Sequence, residues 1–358
     1  MGALIDALYA IPVLGVVFQF GGYLVATIPA ISPLILQQAT PLTLGALCGV
    51  MCERSGVVNI GIEGTMLASA FTGWIVGVAL APVFPGDPGL PFGITPALFL
   101  ALLAAILVAV VISGLHAWLS ISVRADQIIS GTIINIAAFG VTGYLNTLIA
   151  ASSPTSAGSF NSFNLPRDIG NLPIVGWILR AFLNQGPIAM SVIVIVIVFQ
   201  IVLFRSRWGL RTRAVGEHPK AAETVGVSVI ALRYRNVITA GVLAGLGGAY
   251  LSMEATNSFQ AGMTVGRGFI ALAAMIIGRW TPVGAFLAAL VFATSDALGQ
   301  GIVISAPAGT LGKVMTSIPA QFYNALPYIV TIVVLAGVVG LSIPPAADGQ
   351  PYEREAAT

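Results

Sequence analysis

The chain is written as long apolar runs with short polar punctuation. Residues 94–123 and 181–204 contain no Asp, Glu, Lys or Arg, and an apolar run of about 18 or more residues predicts a helix that crosses a bilayer. Ten hydrophobic segments emerge, near 8–28, 34–52, 60–81, 94–122, 127–150, 187–204, 233–254, 267–279, 281–303 and 325–343. At roughly 1.5 Å per residue the eighth is too short for a hydrocarbon core of about 30 Å. It reads as a half-helix buried in protein or as a broken span. The first segment carries Pro12, Gln19, Gly21 and Gly22, a content that suits a partly interfacial helix. The pattern predicts an all-α polytopic membrane protein of about ten transmembrane segments, one short or broken, forming a single domain over 1–358.

Composition narrows the class. Of 358 residues 57% are hydrophobic and 8% charged, where a soluble domain carries about 25% charged residues. Soluble enzyme, nucleic-acid binder and disulfide scaffold are excluded as whole-chain readings. Cys48 and Cys52 lie four apart, which is neither disulfide-framework nor zinc spacing; they read as small packing residues. The first six residues hold no Lys or Arg, so the basic start of a cleaved signal peptide is not expected, and Asp6 does not suit a myristoylation signal. Forty-one glycines suit helices that pack through small residues in lipid, and Gly241 to Gly245 form a GxxxG.

The placement of charge gives an orientation, because basic loops stay on the cytoplasmic side. Seven of the 15 basic residues crowd one stretch: Arg205, Arg207, Arg211, Arg213, Lys220, Arg233 and Arg235. With that loop inside, alternation also places Arg54, Arg124, Arg279 and Arg354 inside, and Arg167, Arg180, Arg267 and Lys313 outside. Both termini are then expected in the cytoplasm. Residues 151–186 and 304–324 form long external connections rich in turn residues.

Four polar groupings need an explanation. In the inner loop 205–232, Pro219 suits a first helical position and Gly226 a left-handed helix end. A helix of about two turns over 217–226 is too short to stand alone. It either lies on its own membrane domain, with the arginines on lipid phosphates, or docks into a soluble partner. The run from Glu53 to Gly64 contains Asn59, suited to cap the next helix, and Glu63, carried inside the membrane boundary. Glu63 is either a functional carboxylate facing a cavity or partner or a first-turn carboxylate favoured by the helix dipole. On the next span Thr132 and Asn135, three apart, are placed on one face, as interhelical hydrogen-bonding groups or as contacts for a polar solute. Finally, Gly262 to Ile270 open the short segment with a glycine-rich turn near the outer face, where Arg267 can pair with Glu254. Asp296 is a further carboxylate within a span.

Nothing supports covalent chemistry. His116 and His218 fall on different elements, and neither a phosphate-binding loop nor a HExxH or GxSxG motif is present. Neither a metal site nor a cofactor is expected.

The residues do resemble a known family. Pro41 to Leu47, the run ERSGVVNIGIEG from Glu53 to Gly64, ADQIISGTIIN at 125–135, GMTVGRGFIALAAMIIG at 262–278 and the following Arg279 to Ala285 are similar to the permease subunits of ATP-binding-cassette (ABC) importers. That family includes branched-chain amino acid, ribose and nucleoside permeases, and the ERSGVVNIG form is typical of its nucleoside and simple-sugar branch. The resemblance covers about 35–345. It implies an inner-membrane permease that pairs with a second, related but distinct permease chain. It implies cytoplasmic ATP-binding subunits that hydrolyse the nucleotide, and an extracytoplasmic substrate-binding lipoprotein. Residues 217–226 would be the coupling helix, with Glu217, His218, Lys220 and Glu223 as docking candidates, although the loop lacks the full EAA motif of other importer classes. Asn59, Glu63, Thr132, Asn135 and Arg267 are the candidates for the translocation pathway. An ion-coupled secondary transporter is the alternative, since broken helices and buried carboxylates occur there too.

Overall fold

The computed structural model describes residues 12–84, 90–150, 158–170, 172, 175–304, 309–333 and 342–353. Expectations for residues 8–11, both extreme termini, 151–157 and 334–341 lie outside the described residues. Within them the chain is helical, without a strand. The helices are α1 (Pro12–Glu53), α2 (Ile62–Leu80), α3 (Pro96–Ala117), α4 (Gln127–Ala150), α5 (Arg167–Gly170), α6 (Val175–Leu183), α7 (Pro187–Arg205) and α8 (Arg207–Glu217). There follow α9 (Pro219–Thr224), α10 (Val229–Tyr250), α11 (Arg267–Ile277), α12 (Pro282–Ile304), α13 (Gly309–Ser317), α14 (Ala320–Asn324) and α15 (Leu326–Val333). π-helical turns at Trp118–Ser122 and Leu251–Ala255 extend α3 and α10.

Seven of these helices are long and apolar enough to cross a membrane. The difference from ten has three sources. The first two expected segments are one helix, α1. The eighth, α11, has 11 residues and a length of about 16 Å. The described part of the tenth, α15, has eight residues.

The continuity of α1 has a local cause. Pro33 has no N–H, so the carbonyl of Pro29 loses its helical donor. The Ser32 hydroxyl donates to that carbonyl at 2.9 Å. The Gln185 amide donates to the Pro33 carbonyl at 3.0 Å. The carbonyl that Pro33 frees is thus satisfied by a side chain, the condition for keeping such a helix in lipid.

The described residues divide into two compact units. One comprises residues of 1–38, 164–185 and 290–338; the other comprises 39–163, 186–289 and 339–358. In the first, Ile302, Leu311, Met315 and Tyr323 form a small core. The second holds the candidate site, and its centre is the mutual packing of α2, α3 and α10.

Helix α3 shows how that packing works. Ala97, Ala101, Ala105 and Ala109 recur every fourth residue and are buried, while Leu103, Leu107, Val111 and Leu115 are exposed. Large apolar side chains outside and small ones inside suit a lipid solvent, where helices gain by close backbone approach. The GxxxG on α10 meets this stripe. A Cβ at Gly245 would lie 2.9 Å from the Ile106 Cα, so a side chain there would separate α10 from α3.

Candidate functional site

The segment between α1 and α2 grips both ends of the half-helix α11. At the N-terminal end Gly266 is left-handed (φ 76°) and no side chain of its own caps the helix. Glu63, buried in the first turn of α2, supplies the acceptors. Its Oε1 accepts from the Gly266 N–H at 2.8 Å and its Oε2 from the Gly268 N–H at 2.6 Å. These amides have no intrahelical partner, and a carboxylate there also meets the positive end of the helix dipole. Gly268 is required by the closeness, because a Cβ on it would lie 2.6 Å from the Glu63 Cα.

At the other end Arg279 and Trp280 both adopt left-handed backbone (φ 53° and 52°), which costs energy in residues that carry a Cβ. Their conformation is held from the end of α1. Arg54 donates from Nε to the Trp280 carbonyl at 2.8 Å and from Nη2 to the Arg279 carbonyl at 3.1 Å. Trp280 Nε1 donates to the buried Glu53 carboxylate at 2.6 Å. A cation at the carbonyl end and an anion at the amide end both complement the dipole of α11.

The gripping segment is itself fixed by α3 and α4. The Gln127 Oε1 accepts from the Val58 N–H at 2.7 Å. His116 places Nε2 3.0 Å from the Val58 carbonyl and Nδ1 3.0 Å from the Ser130 hydroxyl. Asn59 Oδ1 accepts from the Gly61 N–H at 3.0 Å. Asn135 bridges the turn, its Oδ1 accepting from Gly64 N–H at 2.7 Å and its Nδ2 donating to the Ile60 carbonyl at 3.0 Å. A Cβ on Gly64 would fall 2.7 Å from the Asn135 Cα.

Asn59, Glu63 and Asn135 therefore come together around one turn, and Arg267, partly buried, begins the helix that Glu63 caps. Thr132 does not join them. It is exposed and its hydroxyl donates to the Ile128 carbonyl of its own helix. Three helical positions span about 300° of rotation, so Thr132 and Asn135 straddle the edge of the buried stripe. Glu254 caps another helix, accepting from Ile188 and Ala189 N–H at the start of α7. Glu53, Arg54, His116, Gln127 and Trp280 were not singled out as site residues from sequence. Among the described residues no group of three or more His, Cys, Asp or Glu is arranged to hold a metal.

The basic loop has two helices where the sequence marked one. Ser206 caps α8 by accepting from the Gly209 N–H at 3.1 Å, and Trp208 and Thr212 of α8 bond Asn236 of α10. Arg213 stands over the Phe204 ring and Arg235 over the Trp208 ring. Pro219 starts α9 and Gly226 is left-handed (φ 83°) just past it, as the sequence suggests. Glu217, His218 and Lys220 are exposed there, and Glu223 is half-buried. An open groove of about 760 Å³ lies between Glu217 to Ala221 and residues 346–353. Burial raises the Asp348 carboxyl to about 6, against the opposing pull of Arg233.

Seven apolar helices of membrane-spanning length define a multi-pass membrane protein. Residues 33–335 match the family described as branched-chain amino acid transport system / permease component, and the chain belongs to that family. It is 37% identical over 331 residues to the guanosine ABC transporter permease protein NupQ of Bacillus subtilis, covering 92% of this chain and 98% of that one. Identity is 35% over 330 residues to the nucleoside ABC transporter permease protein NupC of Lactococcus lactis, with the same coverage. A putative glucose ABC transporter permease protein, TsgC13 of Haloferax volcanii, is 35% identical over 89% of this chain and 96% of its own. The same Bacillus and Lactococcus strains hold second relatives, NupP and NupB, at 26% and 24% identity. No solved structure matches the chain. As an ABC permease component the protein is a translocation subunit and not an enzyme; ATP hydrolysis resides in a separate subunit.

Proposed function

We propose that this permease carries a nucleoside, with a simple sugar as the next substrate class, across the cytoplasmic membrane. The observation that supports this is similarity along nearly the whole chain to permeases named for nucleoside and guanosine. The occurrence of two unequal relatives in one strain favours a heterodimer with a related but distinct permease. A cytoplasmic ATPase would take the exposed helix α9 through Glu217, His218, Lys220 and Glu223. A binding lipoprotein would deliver solute from outside, and residues 342–353 would lie on the cytoplasmic side with α9. With the first two expected segments joined as α1, the expected count of membrane segments falls from ten to nine, with α11 as the short one.

In this reading α11 and its grip border the pathway. Asn59, Glu63 and Asn135 act by holding the turn in place. Arg267 and Thr132, both accessible, are the groups for direct solute contact. Uptake of radiolabelled guanosine and glucose by cells carrying the complete transporter tests the reading. Saturable guanosine uptake that Glu217→Arg with Glu223→Arg abolishes is the expected result. Guanosine transport by the isolated chain in liposomes, driven by an ion gradient alone, would instead establish the secondary transporter.

A further inference from the structure

Residues 342–353 form no regular secondary structure, and such a terminal segment normally frays. Here it is tied to four elements. The Ser342 hydroxyl donates to the Ile276 carbonyl in the last turn of α11 at 2.8 Å. The Ala347 N–H donates to the Gly216 carbonyl of α8 at 2.8 Å, and the Ala346 N–H to Glu217 Oε2 at 3.2 Å. Arg233 of α10, 1% exposed, donates to the Gln350 carbonyl at 2.9 Å. The Tyr352 hydroxyl bonds the Glu223 carboxylate of α9, and Arg124, just before α4, pairs with Glu353.

The position of this strap matters more than the number of its bonds. A six-residue helix such as α9 cannot hold its own geometry. Its one buried residue, Ala222, packs with Val215, Val229 and Tyr352, and Tyr352 is the largest of these side chains. The other end of the strap rests on α11. Between the two, the Arg233 guanidinium and the Ala347 carbonyl both close on Gly56, in the segment that grips α11.

We propose that residues 342–353 are a transmission strap, with Tyr352 as its positioning residue, that carries movement of α9 to the half-helix α11. This rests on the reading of α9 as the ATPase-facing helix. Mechanical coupling through a chain of packed and hydrogen-bonded groups needs both ends attached, and Tyr352 is the attachment at α9.

The test uses the complete transporter in proteoliposomes, with ATP turnover and solute uptake measured on the same preparation. Tyr352→Ala is expected to leave ATP turnover near the wild-type rate and to lower solute moved per ATP by about five-fold or more. Tyr352→Phe, which keeps the ring, is expected to give a smaller loss. An Ala222→Cys, Tyr352→Cys pair, which leaves the docking candidates intact, is expected to be uncoupled until bridged by a short bis-maleimide, which restores the ratio. Cys48 and Cys52 are buried and do not compete. An unchanged ratio in Tyr352→Ala, an equal fall in both rates, or no recovery on bridging overturns the strap. If Tyr352→Ala prevents assembly, the bridged pair decides, recovery upholding the proposal and failure ending it. If no ATPase assembles on the wild-type chain, the importer reading falls and the strap falls with it.

Discussion

The carboxylate of Glu63 receives the amide hydrogen of Gly268 at 2.6 Å across 205 residues of sequence. With the Gly266 amide on its second oxygen, Glu63 completes a helix that has no cap of its own. Its removal leaves the buried Gly268 donor and the half-buried Gly266 donor without partners. Glu63→Ala is expected to cost about 2–4 kcal/mol and Glu63→Gln, which keeps one acceptor, about half of that. Thermal unfolding of the purified protein in detergent reads both; a midpoint unmoved in Glu63→Ala would contradict the cap.

The same grip has a steric requirement. Gly64→Ala places a methyl 2.7 Å from the Asn135 Cα. Overpacking of this kind costs about 1–3 kcal/mol, so a loss of stability is expected although alanine favours helices. A gain would show that α2 and α4 can separate without cost.

At the far end of α11, Arg54→Lys keeps the charge and loses the fork. One of the two carbonyls at 279 and 280 then lacks its donor, at a cost of about 1–2 kcal/mol. Reduced thermal stability is expected, with proteolytic cutting after Arg279 accelerated. Equal cutting rates would mean that the left-handed pair holds itself.

Ser32→Ala is expected to cost about 1 kcal/mol, because the Pro29 carbonyl then has no donor. In a Pro33→Ala background a backbone N–H returns to that carbonyl and the same change should cost little. A double-mutant cycle with no coupling would refute this account of α1.

The strap has a pH dependence with a definite sign. Burial raises Asp348 to about 6, with Glu53 and Arg233 facing it. A raised carboxyl favours the protonated docked form. Docking is therefore strongest below the unfolded value, weakens as pH rises to about 6, and is constant above. Amide exchange in residues 342–353, corrected for intrinsic rates, should show protection falling between pH 4 and 6. Asp348→Asn should flatten that fall and leave the strap better protected at pH 7. Parallel wild-type and variant profiles would remove Asp348 as the cause.

Local signals carried the membrane class and the ends of α9. Charge-free runs, Pro219 and Gly226 each act within a few residues. The same locality explains the misreadings. Pro29, Ser32 and Pro33 look like a break, and only the Ser32 bond to the Pro29 carbonyl shows why the helix continues. The arginines of the inner loop read as groups for lipid phosphates or a soluble partner, whereas Arg213 of α8 stands over the Phe204 ring and Arg235 of α10 over the Trp208 ring. Glu63 was visible as a carboxylate with two readings, cap or cavity. What it caps lies 205 residues away, and Arg54 reaches Trp280 across 226. No periodicity encodes such pairings.

Helix α3 inverts the habitual sense of a substitution. Trimming Leu107 or Val111 removes bulk that points away from the rest of the chain, whereas adding a single isobutyl group at Ala105 or Ala109 would wedge apart neighbours already at contact distance. On this helix, fragility follows the smallest residues, and the bulkiest are the most expendable.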